Sequence, residues 1–292
     1  MKISLKKTQE IIVETYKQWN KNDPFQMSAA ISYYALFSFP ALLIIIIHSI
    51  GFFYSESQVK TKIINEIASI LGRETAVFVE NILENSYNLE QSKIALIIGV
   101  ITLLYGATGL FIALQKALNK IWGVPESTKR GFFKLIKDRL FSLSLVLIIG
   151  FLLLTSLILT SVINALTDWI RTVFPEFILL IFQIVNFVIP LLLITVLFAL
   201  IFKILPDAVI KWTDVWLGSF VTSLLFSIGK QALGIYFAKA NPESTFGAAG
   251  SVILILLWVS YSSLILFFGA EFTKVYALKY GDGILSNNTS KS

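Results

Sequence analysis

The chain has 292 residues, 56% of them hydrophobic and 14% charged, with a net charge of +6, one histidine and no cysteine. So apolar a composition excludes an ordinary soluble domain; the absence of cysteine excludes a disulfide framework and a thiolate metal site. Stretches such as "SLVLIIGFLLLTSLILT" (144–160) are apolar on all sides, which excludes the alternating pattern of a membrane β-barrel.

The sequence predicts an all-α integral membrane protein. Crossing a hydrocarbon core of ~30 Å takes roughly 20 apolar residues in a helix. Six runs meet that need, at about 28–54, 94–115, 140–163, 178–202, 213–238 and 248–273. The chain therefore divides into an N-terminal amphipathic segment, 1–27, a six-helix membrane domain, 28–276, and a flexible tail, 277–292, that ends in "LSNNTSKS". Residues 1–27 are basic but lack the short apolar core and small-residue cleavage site of a signal peptide, so the first span is expected to be retained. That span carries Tyr33 and Tyr34, read as belt or core aromatics, and His48 near its far end.

The connection 55–93 repeats Ile63, Ile64, Ile67, Ile70 and Leu71, then Val77, Phe78 and Ile82, at helical spacing. Two short amphipathic helices are expected there, separated by Gly72, capping the bundle or resting on the bilayer. In the second span Gly106 and Gly109 are read as permitting close helix packing. The basic stretch from Lys116 to Arg139 that follows includes Trp122; it is read as an interface anchor that also meets anionic lipid, in preference to a surface for stacking RNA. The third span closes at Asn164. In the fourth, Gln183, Asn186 and Pro190 share a face.

Asp207 is read as a loop residue and Asp214 as a helix-start residue. The fifth span holds Lys230 on a stripe with Ser219, Ser223 and Ser227. No carboxylate is expected beside it within the spans. Lys230, Gln183, Asn186, His48, Ser223 and Ser227 are therefore the candidate ligand site, a polar cavity toward the outer face whose cation awaits a phosphate or carboxylate. The competing reading is that Lys230 snorkels to the outer headgroups. Glu271 and Lys274 near the end of the sixth span are read as a helix-end ion pair.

Orientation follows from the basic residues. With the spans placed as above, 17 of the 24 fall on the side of both termini, 6 on the other, and Lys230 lies within a span. The positive-inside bias then puts both termini in the cytoplasm, and the connection 55–93 outside.

Four stretches, "AAISYYALFSFPALL" (29–43), "GATGLFIALQKALNKIWGV" (106–124), "LPD" with "DVWLGS" (205–219) and "TFGAAGSVILILLWVSYSSLILFFGAEF" (245–272), resemble the YihY/BrkB family of bacterial inner-membrane proteins, once labelled ribonuclease BN. The resemblance covers about residues 20–280. It implies six transmembrane helices with both termini inside and a link to envelope integrity. It brings no catalytic residues.

The residues themselves speak against a nuclease: the carboxylates on the terminal side are scattered, and His48 is placed on the opposite one. No P-loop or dinucleotide-binding glycine pattern is present. The expected function is therefore not enzymatic and takes no cofactor, metal or nucleic acid. The leading expectation is a transporter or lipid-handling protein for an anionic amphipathic envelope molecule. The alternative is a scaffold holding envelope protein partners through its outer amphipathic helices and basic loop. Membrane lipids, anionic ones included, are expected partners in either case.

Overall fold

The computed structural model describes residues 5–51, 55–88, 93–124, 176–240, 249–281 and 285–286. Within them the chain is built of helices: α1 (Leu5–Lys21), α2 (Pro24–Gly51), α3 (Glu56–Leu71), α4 (Arg73–Asn88), α5 (Lys93–Trp122), α6 (Glu176–Ile204), α7 (Trp212–Ala240) and α8 (Gly250–Tyr280). An antiparallel pairing of two residues each, β1 (Ala208–Val209) with β2 (Leu285–Ser286), ties the end of the chain to the loop between α6 and α7. The expected span at 140–163 and Asn164 lie outside the described residues. Among the described residues, three helices are long and apolar enough to cross a membrane, at Phe187–Ile204, Trp212–Phe237 and Gly250–Tyr280.

Several helices outlast their apolar runs. α5 continues seven residues beyond 115, and α8 seven beyond 273. These extra turns mix lysines with buried apolar residues such as Leu118, Ile121 and Ala277 and are held by packing, so the apolar count alone stops short of them. The long helices run antiparallel in sequence pairs. α2 meets α5 with Phe37 and Ser38 over Gly106 and Tyr34 over Gly109. α7 meets α8 through a reciprocal interlock, in which Gly218 faces Thr273 and Gly269 faces Thr222. Glycine lets the two backbones approach closely, as in other membrane helix pairs. Each threonine hydroxyl meanwhile donates to the carbonyl of the glycine four residues earlier in its own helix, Thr222 to Gly218 at 2.6 Å and Thr273 to Gly269 at 2.7 Å.

Both terminal helices lie at one end of the bundle. α1 packs antiparallel on α8, with Lys7 over the Tyr280 ring and Trp19 edge-on to Phe268. At this terminal end Leu118, Ile121, Phe202, Val215 and Phe267 form a fully enclosed core.

The opposite end carries α3 and α4, joined at Gly72, whose φ of 93° suits a residue without a side chain. The hairpin caps the bundle. Val59, Ile63 and Leu71 from α3 and Val79 and Leu83 from α4 bury against Leu43, Ile47, Phe237, Leu254 and Ile255. The inward face of α4 keeps Phe78 of the expected residues and loses Val77. Val79 and Leu83 are enclosed while Val77 is 44% exposed. Val79 and Leu83 stand one turn apart above Thr75 and Ala76, also buried, and Phe78 of the expected face packs against the same core, so the face is centred on Val79 and Leu83 and leaves Val77 outside it. On the outer surface Lys60 of α3 bridges to Glu84 at 2.9 Å and Glu80 at 3.3 Å of α4. The hydrogen bond that Lys60 donates to Glu84 leads in raising the ammonium's pKa above its ordinary value against the opposing effect of burial, with Glu80 adding to it.

Candidate functional site

Lys230 does not stand alone. Its Nζ donates to Glu66 Oε1 of α3 at 2.7 Å. The expectation of an unpartnered cation considered carboxylates within the spans; the partner arrives from the amphipathic hairpin, which folds over the end of α7. Both side chains keep solvent contact, 40% for Lys230 and 56% for Glu66, so the pair contributes little to stability, on the order of 0–1 kcal/mol. Lys230→Leu should accordingly leave the thermal midpoint of the purified protein within about 2 °C of wild type. A loss of much more than that would mean the pair anchors the hairpin.

Two of the three serines on the Lys230 stripe are occupied as well. Ser223 is fully enclosed, 2.7 Å from Thr195 Oγ1 of α6, and Ser227 donates to the Ser223 carbonyl at 2.8 Å. Ser223 thus joins α7 to α6, and Ser219, enclosed on the same stripe, has no hydrogen-bond partner for its hydroxyl among the described residues. His48, Gln183 and Asn186 fall at helical positions of α2 and α6, and their side chains lie outside the described set. A cavity of about 290 Å³ at the hairpin end runs under Ala68, Gly72, Arg73, Gly234 and Phe237; neither Lys230, Ser223 nor Ser227 borders it.

The larger cavity is at the terminal end, a groove of about 580 Å³ between α2 and α5. Its walls follow from helical spacing. Gln26, Met27, Ala30 and Tyr34 share one face of α2; Gly109, Ile112, Ala113, Lys116 and Lys120 share one face of α5. Small residues at Ala30, Gly109 and Ala113 keep the walls low, and Tyr34 seated on Gly109 closes the deep end. Lys116 and Lys120, one turn apart and exposed, stand at the mouth. From Gly109 to Lys120 the groove is about 16 Å long, lined mostly by apolar side chains and ending in two cations. The volume is typical of a small-molecule site.

The two lysines differ. Lys116 makes no ion pair among the described residues. Lys120 Nζ donates to the Asn22 carbonyl at 2.9 Å and lies 3.2 Å from Asp23 Oδ2. Asn22 and Asp23 form the elbow between α1 and α2, and Asp23 takes a positive φ of 55°. The Asn22 side-chain amide in turn donates to Glu271 Oε1 of α8.

Glu271 is fully enclosed, with Lys274 Nζ 3.8 Å from its other oxygen. It is thus more than the helix-end pair with Lys274 that the spacing gives. It is the point where α8 grips the elbow that holds Lys120. Nearby, Asn119 of α5 and Asp207 exchange two hydrogen bonds, the amide to Oδ2 at 2.9 Å and the Asp207 backbone N–H to Oδ1 at 2.8 Å; Asp207 is a loop residue that also clamps α5 to the α6–α7 connection. Asp214 lies in the first turn of α7.

Comparison with known proteins returns one family and a set of membrane proteins. The family described as "Virulence factor BrkB" matches residues 15–291. The chain is 24% identical to a UPF0761 membrane protein of Mannheimia succiniciproducens over 280 residues, which cover 91% of each chain. It is 22% identical to a UPF0761 membrane protein of Haemophilus influenzae over 263 residues, 88% of this chain and 91% of that one. It is 26% identical to another from Pasteurella multocida over 227 residues, 75% of this chain and 65% of that one. No solved structure matches.

Proposed function

This chain belongs to the BrkB virulence factor family of membrane proteins, and from that premise we propose that it is a non-enzymatic handler of an anionic amphiphile, binding or moving it at the terminal face of the membrane domain. The groove between α2 and α5 carries this reading: apolar walls suit an acyl chain, and the two lysines at the mouth suit its anionic headgroup. Lys230, the cation that the sequence singles out, already has its counter-ion in Glu66. We further read the six apolar runs as six spans in a bacterial inner membrane with both termini cytoplasmic, from their lengths and the 17-to-6 division of basic residues. The groove mouth then faces the inner leaflet.

Native mass spectrometry of the full chain released from mild detergent tests this reading. Wild type should carry phospholipid, and Lys116→Gln with Lys120→Gln should reduce the retained anionic lipid at least about tenfold, since two charge-assisted contacts are lost. Equal retention by the two proteins would overturn the reading.

The scaffold reading draws on a different surface from the one first expected. The apolar face of the outer hairpin is taken up by the bundle. On α1, however, the side turned away from α8 leaves Ile12 49%, Val13 46% and Tyr16 58% exposed. A scaffold working through α1 would be untouched by the two lysine substitutions.

A further inference from the structure

We infer that Asp23 is a specificity-determining residue of the groove, an internal stand-in for the ligand's headgroup that reserves Lys120 for an amphiphile with two negative charges, a phosphate monoester. This deepens the proposed function and rests on it.

With Asp23 against Lys120, the mouth of the groove offers one cation unopposed among the described residues, Lys116, and suits one negative charge. A second cation becomes available only if the incoming anion displaces the Asp23 carboxylate. The Lys120–Asp23 pair is suited to such an exchange, because both members are solvent-exposed, 48% and 65%, and exposed pairs are weak. A phosphodiester carries one negative charge and gains little by breaking the pair. A phosphate monoester carries about −1.5 to −2 near neutral pH and presents three acceptor oxygens, enough to engage Lys116 and Lys120 together. Competition with a carboxylate thereby becomes selection by charge.

The elbow keeps the competitor in place. Asp23 can meet Lys120 because the chain turns through the left-handed region there, a conformation that Asp and Asn tolerate better than other side chains. Asn22, one residue before, is held by Glu271 of α8 through its side chain while its carbonyl faces Lys120. When the carboxylate leaves, Lys120 retains the Asn22 carbonyl as its anchor and still points toward the groove.

The test uses the purified full chain in mixed micelles doped with equal mole fractions of dioleoyl phosphatidic acid, a monoester, or dioleoyl phosphatidylglycerol, a diester, with retained lipid read by native mass spectrometry. Wild type should retain the monoester over the diester by about fivefold or more, because only the monoester engages both lysines. Asp23→Asn keeps the elbow geometry and removes the competing charge; it should raise diester retention and bring the ratio to about one to two. Lys120→Gln should also remove the preference, by lowering monoester retention. Equal retention of the two lipids by wild type, or an unchanged ratio in Asp23→Asn, would overturn the inference and leave the groove reading standing. Retention of neither lipid by wild type would overturn both.

Discussion

Valine in place of Gly218 or Gly269 is expected to lower the stability of the folded protein by about 2–3 kcal/mol or more at each site, the upper part of the range for overpacking. A Cβ built on Gly218 would stand 1.7 Å from Thr273 Oγ1 and 2.7 Å from its Cβ; one on Gly269 would stand 1.9 Å from Thr222 Oγ1. Neither threonine can rotate away without giving up the hydrogen bond to its own helix. The two glycines sit in one interface with reciprocal partners, so α7 and α8 would have to separate. Thermal unfolding in detergent, followed by the loss of the monomer peak on size exclusion, measures the effect. Gly218→Ala combined with Thr273→Gly should recover much of what Gly218→Ala alone loses, because the pair then exchanges its bulk. Additive losses would show that the interlock is not the cause.

Glu271→Ala is the second large effect expected, roughly 2–4 kcal/mol. Removing one member of a buried hydrogen-bonded charge pair is costly because the groups left behind stay enclosed. Asn22 would lose its acceptor and Lys274 its counter-ion, in a site where the glutamate side chain has no solvent exposure. The value falls toward the lower part of the range because Lys274 keeps 19% of its surface in solvent. Glu271→Gln retains an acceptor for Asn22 and should lose only about 1 kcal/mol. The same thermal assay compares them, and equal midpoints for the two variants would mean that the Asn22 contact contributes nothing.

Much of the fold was legible because membrane helices announce themselves locally. The apolar runs, the helical repeat of isoleucines around Ile63 and the break at Gly72 are all properties of contiguous sequence. Gly106 and Gly109 could be placed on a packing face, though not on Phe37, Ser38 and Tyr34, for which the antiparallel register of α2 is needed. The candidate site was harder to read for the same reason. Lys230 and Glu66 are 164 positions apart, and no spacing rule joins a residue in a span to one in a hairpin outside it. Lys116 and Lys120 were visible as basic residues after a span, and their four-residue separation puts them on one helical face. What makes them a site is the opposite wall, Gln26 to Tyr34, contributed by another helix. Glu271 read as a pair with Lys274 because that partner is three residues away, whereas Asn22 lies in the elbow after the first helix, 249 positions before it.

That contact between the elbow after α1 and the helix α8 also bears on how the protein is made. Asn22 and Glu271 are separated by 249 residues. At ribosomal rates of about 5–20 residues per second, α1 is synthesised roughly 12–50 s before its partner. Through that interval Ile11, Thr15 and Trp19 have no α8 to rest on, and the elbow that presents Asp23 lacks its clasp. The newborn chain therefore spends the translation of everything from α2 to α7 with an amphipathic segment unclaimed at the membrane surface. Only when the final helix inserts does that segment close over the bundle, so a ribosome that stalls before Glu271 releases a protein whose first helix is still searching.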